Sequence, residues 1–172
     1  MKILPLPPLE LLKERFYVSE DSPSGLRYKA DVYHTRARKD AVAGYCQQRG
    51  YWTVRINGQA YFAHRIAYYL INGEDPGNYS IDHKQGLSQP LSLRQATHAQ
   101  NMCNRPAQIN CRSGVKGVRA AKRKGRWEAR ICKDGKQIHI GTFDTLKEAS
   151  DAYDRKAFEL NGEFATLNNF VE

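Results

Sequence analysis

Apolar and polar side chains alternate along this chain with a period that changes several times, and each change marks an element. Trp52, Val54 and Ile56 alternate with Thr53 and Arg55, the spacing of a half-buried strand. Asn57-Gly58 follows, a strong two-residue hairpin signal, so the return strand is expected over Ala60 to Ala63. From His64 the spacing of Ile66, Tyr69 and Leu70 becomes helical, and it stops at Asn72-Gly73 with Pro76 beyond. "YSIDHKQG" (79–86) reads as a short strand running into a polar loop that continues through Pro90. "LSLRQATHAQNMCN" (91–104) reads as a second short strand and then a helix. The start, "MKILPLPPLELL", is a Pro-rich lead-in to a short helix around Leu9 to Phe16.

Beyond residue 113 the pattern is simpler. Three strand-like runs are joined by Gly-containing turns at "RKGR" (123–126) and "KDGK" (133–136). Trp127, Ala129 and Ile131 alternate with Glu128, Arg130 and Cys132, so one face is apolar and the other polar. Trp127 belongs to the packed face. The cover for that face is a helix in which Leu146, Ala149, Ala152, Tyr153 and Ala157 form a stripe, opened by a Thr145/Glu148 capping box. The chain is therefore α+β. Residues 1–105 form one unit and 113–172 a small three-stranded antiparallel sheet packed on one helix. The linker spans 106–112, where Pro106 and the absence of periodicity break the pattern.

Charge sharpens this division. Between Cys111 and Phe143 ten Lys/Arg face two acids, Glu128 and Asp134, so +8 of the formal +9 sits in one short segment. That density is the electrostatic footprint of a polyanion partner. The four cysteines are far apart with no C-x-x-C, which argues against a zinc knuckle and for free thiols in a reducing cytosol. No apolar run approaches the roughly 20 residues that span a bilayer. The three prolines and Glu10 of the lead-in interrupt the apolar core that a signal peptide needs.

The candidate chemistry lies where strand, loop and helix meet. A hard divalent cation takes oxygen ligands, and the Asp82 carboxylate and Asn101 amide oxygen supply two. His83, with an ordinary pKa of about 6.5, is largely neutral at physiological pH and can take a proton from an attacking water. Asn104, one turn after Asn101, is the alternative amide.

Two resemblances join these observations. "AHRIAYYLINGEDPGNYSIDHKQG" with "LRQATHAQNMCNR", preceded by "ERFYVSEDSPSGLRYK" and "AGYCQQRGYWTVRINGQAYFAHR", resembles the HNH homing endonucleases of phages and mobile introns. The resemblance implies a ββα-metal nuclease unit, with Asp82 and Asn101 as metal ligands and His83 as general base. His64 and Arg65 match the family's upstream "HR" pair, and His64 is assigned to packing. The middle Asn of the family pattern is missing, since this chain reads Ser88-Gln89 and Ser92-Leu93-Arg94. Ser92 or Gln89 is left to brace the loop.

Residues 113–170 resemble the Apetala2/ethylene-response-factor DNA-binding domain through "GVR", "GRWEARI", "IGTFDTLKEASDAYDRKAFELNG" and "LNNF". That resemblance implies a sheet laid in the major groove, with Lys116, Arg119, Arg123, Arg130, Gln137 and His139 as contacts. Arg119 and Arg130 would reach guanine, and Lys122, Lys124 and Arg126 phosphate. Ala121 and His139 depart from the plant pattern, so its GC-rich preference does not transfer.

Together these imply a sequence-recognising, metal-dependent DNA endonuclease of homing type that nicks one strand. The alternative is a DNA-binding regulator with an inactive HNH unit. The expected cofactor is one divalent ion, Mg²⁺ ahead of Mn²⁺ and Zn²⁺ last. The expected partner is double-stranded DNA, with no membrane and no small-molecule substrate. The expected state is a monomer or weak dimer in the cytoplasm of a prokaryotic or phage-infected cell.

Overall fold

Short strands that cannot each bury a face must share a core, and in the first part of the chain three small sheets do so. The computed structural model describes residues 4–32, 37–48, 50–107 and 111–168. It divides into two units, 1–97 and 98–172. Residues 108–110 of the expected linker and Phe170 lie outside the described residues.

The first unit opens with α1 (Leu9–Arg15), which buries Leu12. Next, β1 (Phe16–Val18) pairs antiparallel with β2 (Leu26–Tyr28). A three-stranded sheet follows in the order β3 (Tyr45–Cys46), β4 (Trp52–Ile56), β5 (Gln59–Phe62). Asn57 and Gly58 both adopt positive φ, 50° and 80°, the geometry of the tight hairpin that "NG" predicts. Helix α2 (Ala63–Asn72) ends on Gly73 at φ 75°, whose amide donates to the Tyr69 carbonyl. Ile66 and Ala67 of its inner face pack with Leu12, Phe16, Leu26, Val54 and Ile56 in one buried core. Then β6 (Ser80–His83) pairs antiparallel with β7 (Leu93–Ala96), with Asp82 directly opposite Arg94. The segment resembling a nuclease leader thus supplies β1, β2 and β3, which are too short, at two or three residues, to show a period.

The second unit begins with α3 (His98–Cys103). Its sheet has the order β8 (Val118–Ala120), β9 (Trp127–Lys133), β10 (Lys136–Phe143), antiparallel throughout. Helix α4 (Leu146–Asn161) and a 3-10 turn (Gly162–Phe164) complete it. The capping box is formed: Glu148 donates its amide to Thr145 Oγ1 at 3.1 Å, and Thr145 donates its amide to Glu148 Oε2 at 3.2 Å. Ala149, Tyr153 and Ala157 close on Val115, Val118, Ala129 and Ile131. Gly117, at φ 73°, carries backbone where a Cβ would stand 2.1 Å from the Tyr153 ring. That approach lets its carbonyl accept from the Arg130 amide at 2.8 Å.

The division at 97/98 falls earlier than the boundary expected after 105. The reason is specific bonding within the second unit. Lys116 donates Nζ to the Cys103 carbonyl at 2.6 Å, Cys103 Sγ meets Asn161 Oδ1 at 3.4 Å, and Thr166 donates to Asn104 Oδ1 at 3.0 Å. Helix α3 is therefore held by the second unit's own residues. The four cysteines are all free thiols. No described helix is long and apolar enough to cross a membrane.

Candidate functional site

Strand β6 carries Asp82 and His83 as neighbours at its end, so they point in different directions and meet different surroundings. Asp82 is buried and faces Arg94 across the ladder. Arg94 Nε and Nη2 both reach Asp82 Oδ2 at 2.9 Å, and the two side chains are 6% and 9% exposed. A buried carboxylate needs a compensating charge, and here a guanidinium fork supplies it.

His83 joins a cluster of rings. Its centroid lies 5.2 Å from His64, edge to face, and 6.5 Å from Tyr51, while His64 stacks on Phe62 at 5.3 Å. Burial pulls the His83 pKa below its ordinary value, opposed by a hydrogen bond to the Gln89 backbone and by the Asp82 charge. Burial, with the neighbouring His83 and Arg65, lowers His64 further, to about 3. Both imidazoles are thus held neutral at pH 7. A cleft of about 20 Å³ between Tyr51, His64, His83, Leu87 and Pro90 has room for roughly one water.

The loop after His83 is braced by backbone. Lys84 donates its amide to the Ser92 carbonyl at 2.8 Å, Ser92 donates to Gln89 at 3.2 Å, and the Gln89 backbone also meets His83. Ser92 and Gln89 thus enter the loop's hydrogen bonding through main chain.

Arg65 is also structural, donating Nη1 to the Tyr79 carbonyl at 2.7 Å and Nη2 to the Gly77 carbonyl at 2.8 Å. These bonds pin the loop that leads into β6. Asn101 is half-buried on α3, in the other unit from Asp82 and His83. A carboxylate oxygen is a donor that a hard divalent ion takes, so the chemistry of Asp82 suits one, with Oδ2 engaged by Arg94. Among the described residues no three His, Cys, Asp or Glu side chains gather as a metal site.

On the second unit the sequence-nominated contacts fall into two groups. Arg119, Arg130, Gln137 and His139 share the outer face of the sheet, opposite α4, because they alternate with the buried Val118, Ala129 and Ile131 and with Ile138. Glu128 draws three of them together. This carboxylate accepts from Arg119 Nε at 2.9 Å, Arg130 Nε at 2.8 Å and Arg130 Nη2 at 2.7 Å, and His139 Nδ1 lies 3.0 Å away. Arg130 also donates Nη1 to Gln137 Oε1 at 3.0 Å. The hydrogen bonds from Arg130 and Arg119 hold the Glu128 pKa down to about 2.

Lys122, Arg123 and Lys124 are exposed in the β8–β9 turn, whereas Arg126 beside them pairs with Asp144 at 2.9 Å. Lys116 stands apart from its expected role. It is half-buried, its ammonium is spent on the Cys103 carbonyl, and burial lowers its pKa. This takes it out of the outward-facing set. Glu128 was visible in the sequence as one acid on a basic strand face, and that isolation was the signal for its role. Arg94 gave no such sign, since its pairing depends on the register across a loop.

Comparisons with known proteins reach two kinds of relative. Residues 113–163 match the AP2 domain family. Over 56 residues the chain is 45% identical to APETALA2-like protein 2 of Oryza sativa, covering 33% of this chain and 13% of that protein. It is equally identical, over the same length, to the AP2-like ethylene-responsive transcription factor TOE2 of Arabidopsis thaliana, of which it covers 12%. The chain thus spans about an eighth of the length of these plant relatives. It is also 34% identical over 109 residues to a protein of Acanthamoeba polyphaga mimivirus described as an uncharacterized HNH endonuclease, covering 61% of this chain and 56% of that protein.

Proposed function

We propose that this chain is a DNA endonuclease that finds its site through the outer face of β8–β10 and hydrolyses a phosphodiester at His83. The carrying observation is that His83, neutral at the end of β6, lines a cleft with room for about one water. The likeness to the viral HNH protein supports a nuclease reading, and the AP2 match supports duplex DNA as the partner. Asp82 would offer a carboxylate oxygen to a divalent ion, Mg²⁺ first, which when bound would stabilise charge on the phosphate and the departing 3′ oxygen. His83 takes the proton of the attacking water. Gln89, through its backbone, and the ring of His64 fix the imidazole plane. Arg94 fixes the Asp82 carboxylate through Oδ2. One such site cuts one strand, so a monomer nicks.

A second reading, a DNA-binding protein without cleavage, draws on the same Arg94 fork, which satisfies the Asp82 charge without a metal ion. One experiment divides the two. Supercoiled plasmid carrying a target selected from random sequence is incubated with Mg²⁺ or Mn²⁺, or with EDTA. Metal-dependent nicking that is lost in His83→Ala supports the endonuclease. Retarded but uncut DNA under every metal leaves binding as the whole activity.

A further inference from the structure

We infer that Glu128 is a specificity-determining positioning residue, an anionic hub that holds Arg119 and Arg130 in the orientation needed to read bases. The inference rests on the proposed DNA-binding role of this sheet. Glu128 lies on the central strand, directly opposite Arg119 in the β8–β9 ladder and two residues before Arg130 on the same face. Its side chain is 13% exposed, against 58% for Arg119 and 32% for Arg130. The acid therefore sits below the guanidinium groups. It does not compete with them for the surface.

The choice of atoms favours this role. Arg119 is tied through Nε and Arg130 through Nε and Nη2, so each guanidinium is held by its inner edge. Arg130 Nη1 is in turn oriented by Gln137, and His139 closes the ring of groups around Oε1. A guanidinium held at one edge keeps a fixed plane, and a fixed plane is what bidentate pairing with guanine O6 and N7 requires.

A purely structural role suits this carboxylate less well. Exposed ion pairs add little to stability, so the network is a poor device for holding the fold together. A negative charge inside a DNA-binding face also opposes phosphate attraction and weakens sequence-independent binding. Both costs are offset where the charge lowers the entropy lost when long side chains are immobilised on bases. Discrimination between sequences then rises while raw attraction falls.

The test is Glu128→Gln, which keeps the shape and removes the charge. Affinity for the selected target and for a scrambled duplex is measured at fixed salt, together with the NMR signals of the Arg119 and Arg130 Nε–H groups in the DNA-free protein. The expected result is a several-fold rise in affinity for scrambled DNA and a fall of about tenfold in the ratio of target to scrambled binding, the size of one well-made base contact. The slowly exchanging Nε–H signals should disappear, and the target should lose discrimination at its guanine positions. An unchanged ratio, with the Nε–H signals lost, overturns the specificity role and leaves the DNA reading intact. Unaltered Nε–H signals overturn the hub itself. Failure of the wild-type protein to select any sequence overturns the DNA reading instead, and the NMR comparison still decides whether the hub exists.

Discussion

The two units each place arginine against a carboxylate, and the two arrangements serve opposite ends. Asp82 and Arg94 are almost completely enclosed and paired across a two-stranded ladder. Glu128 gathers Arg119, Arg130 and His139 on an open sheet face. In the first, each charge needs the other, because neither has water to turn to. In the second, water is at hand and the ion pairs fix direction more than they bind the fold. Burial decides whether the same chemistry is structural or available to a partner.

The largest effect should come from breaking the enclosed pair. Asp82→Ala leaves the Arg94 guanidinium buried without its carboxylate and should destabilise the first unit by about 3–5 kcal/mol. Replacing Arg94 by Met as well should recover much of that loss. The chain has two tryptophans, Trp52 in the first unit and Trp127 in the second, so Trp127→Phe and Trp52→Phe backgrounds let denaturant unfolding of each unit be followed by fluorescence. No recovery in the double variant would contradict the paired account.

Acid should separate the units next. His64 has a folded-state pKa lowered from 6.5 to about 3, so the unfolded chain binds the extra proton between those values. Its contribution is whole above pH 6.5 and is lost as pH falls toward 3, by about 1.4 kcal/mol per pH unit. Glu128, lowered from 4.5 to about 2, pairs with partly exposed arginines whose attraction solvent screens, so its titration below pH 4.5 removes little stability. Trp52 fluorescence should therefore report loss of stability at a higher pH than Trp127 fluorescence does, and the gap should shrink in His64→Phe.

Smaller still is the cap of α4. Thr145→Ala removes the acceptor for the Glu148 amide and should cost the second unit about 1 kcal/mol, read from Trp127 in urea. Smallest should be the effect of Glu128→Gln on the same unfolding curve, well below that of Thr145→Ala. A large loss there would mean that Glu128 holds the fold together and does not only direct its arginines.

What could be read from the sequence was local. Asn57-Gly58, Gly73, the Thr145/Glu148 pair and the alternation of Trp127, Ala129 and Ile131 each specify a turn, a cap or a face within a few residues, and the structure has them all. Strand β6 and helix α3 were also legible around Asp82, His83 and Asn101. The rest depended on register between distant segments. Arg94 meets Asp82 only because β7 returns in one alignment out of several, and Arg119, Arg130 and His139 reach Glu128 from three strands. Strands β1 and β2 carry three residues each, fewer than an alternation needs to be seen. Lys116 looked like one more cation in a basic run, because nothing local shows that its ammonium turns back to Cys103.

That last bond bears on where such a chain can be cut. The AP2-like match begins at 113, yet Lys116, Asn161 and Thr166 each hold an atom of Cys103 or Asn104. A fragment that starts at 113 leaves three anchoring groups facing water. One that starts at 98 carries its own lid. A chain cut before α3 should therefore keep the second unit whole, and one cut at 113 should loosen the edge that Cys103 and Asn104 close.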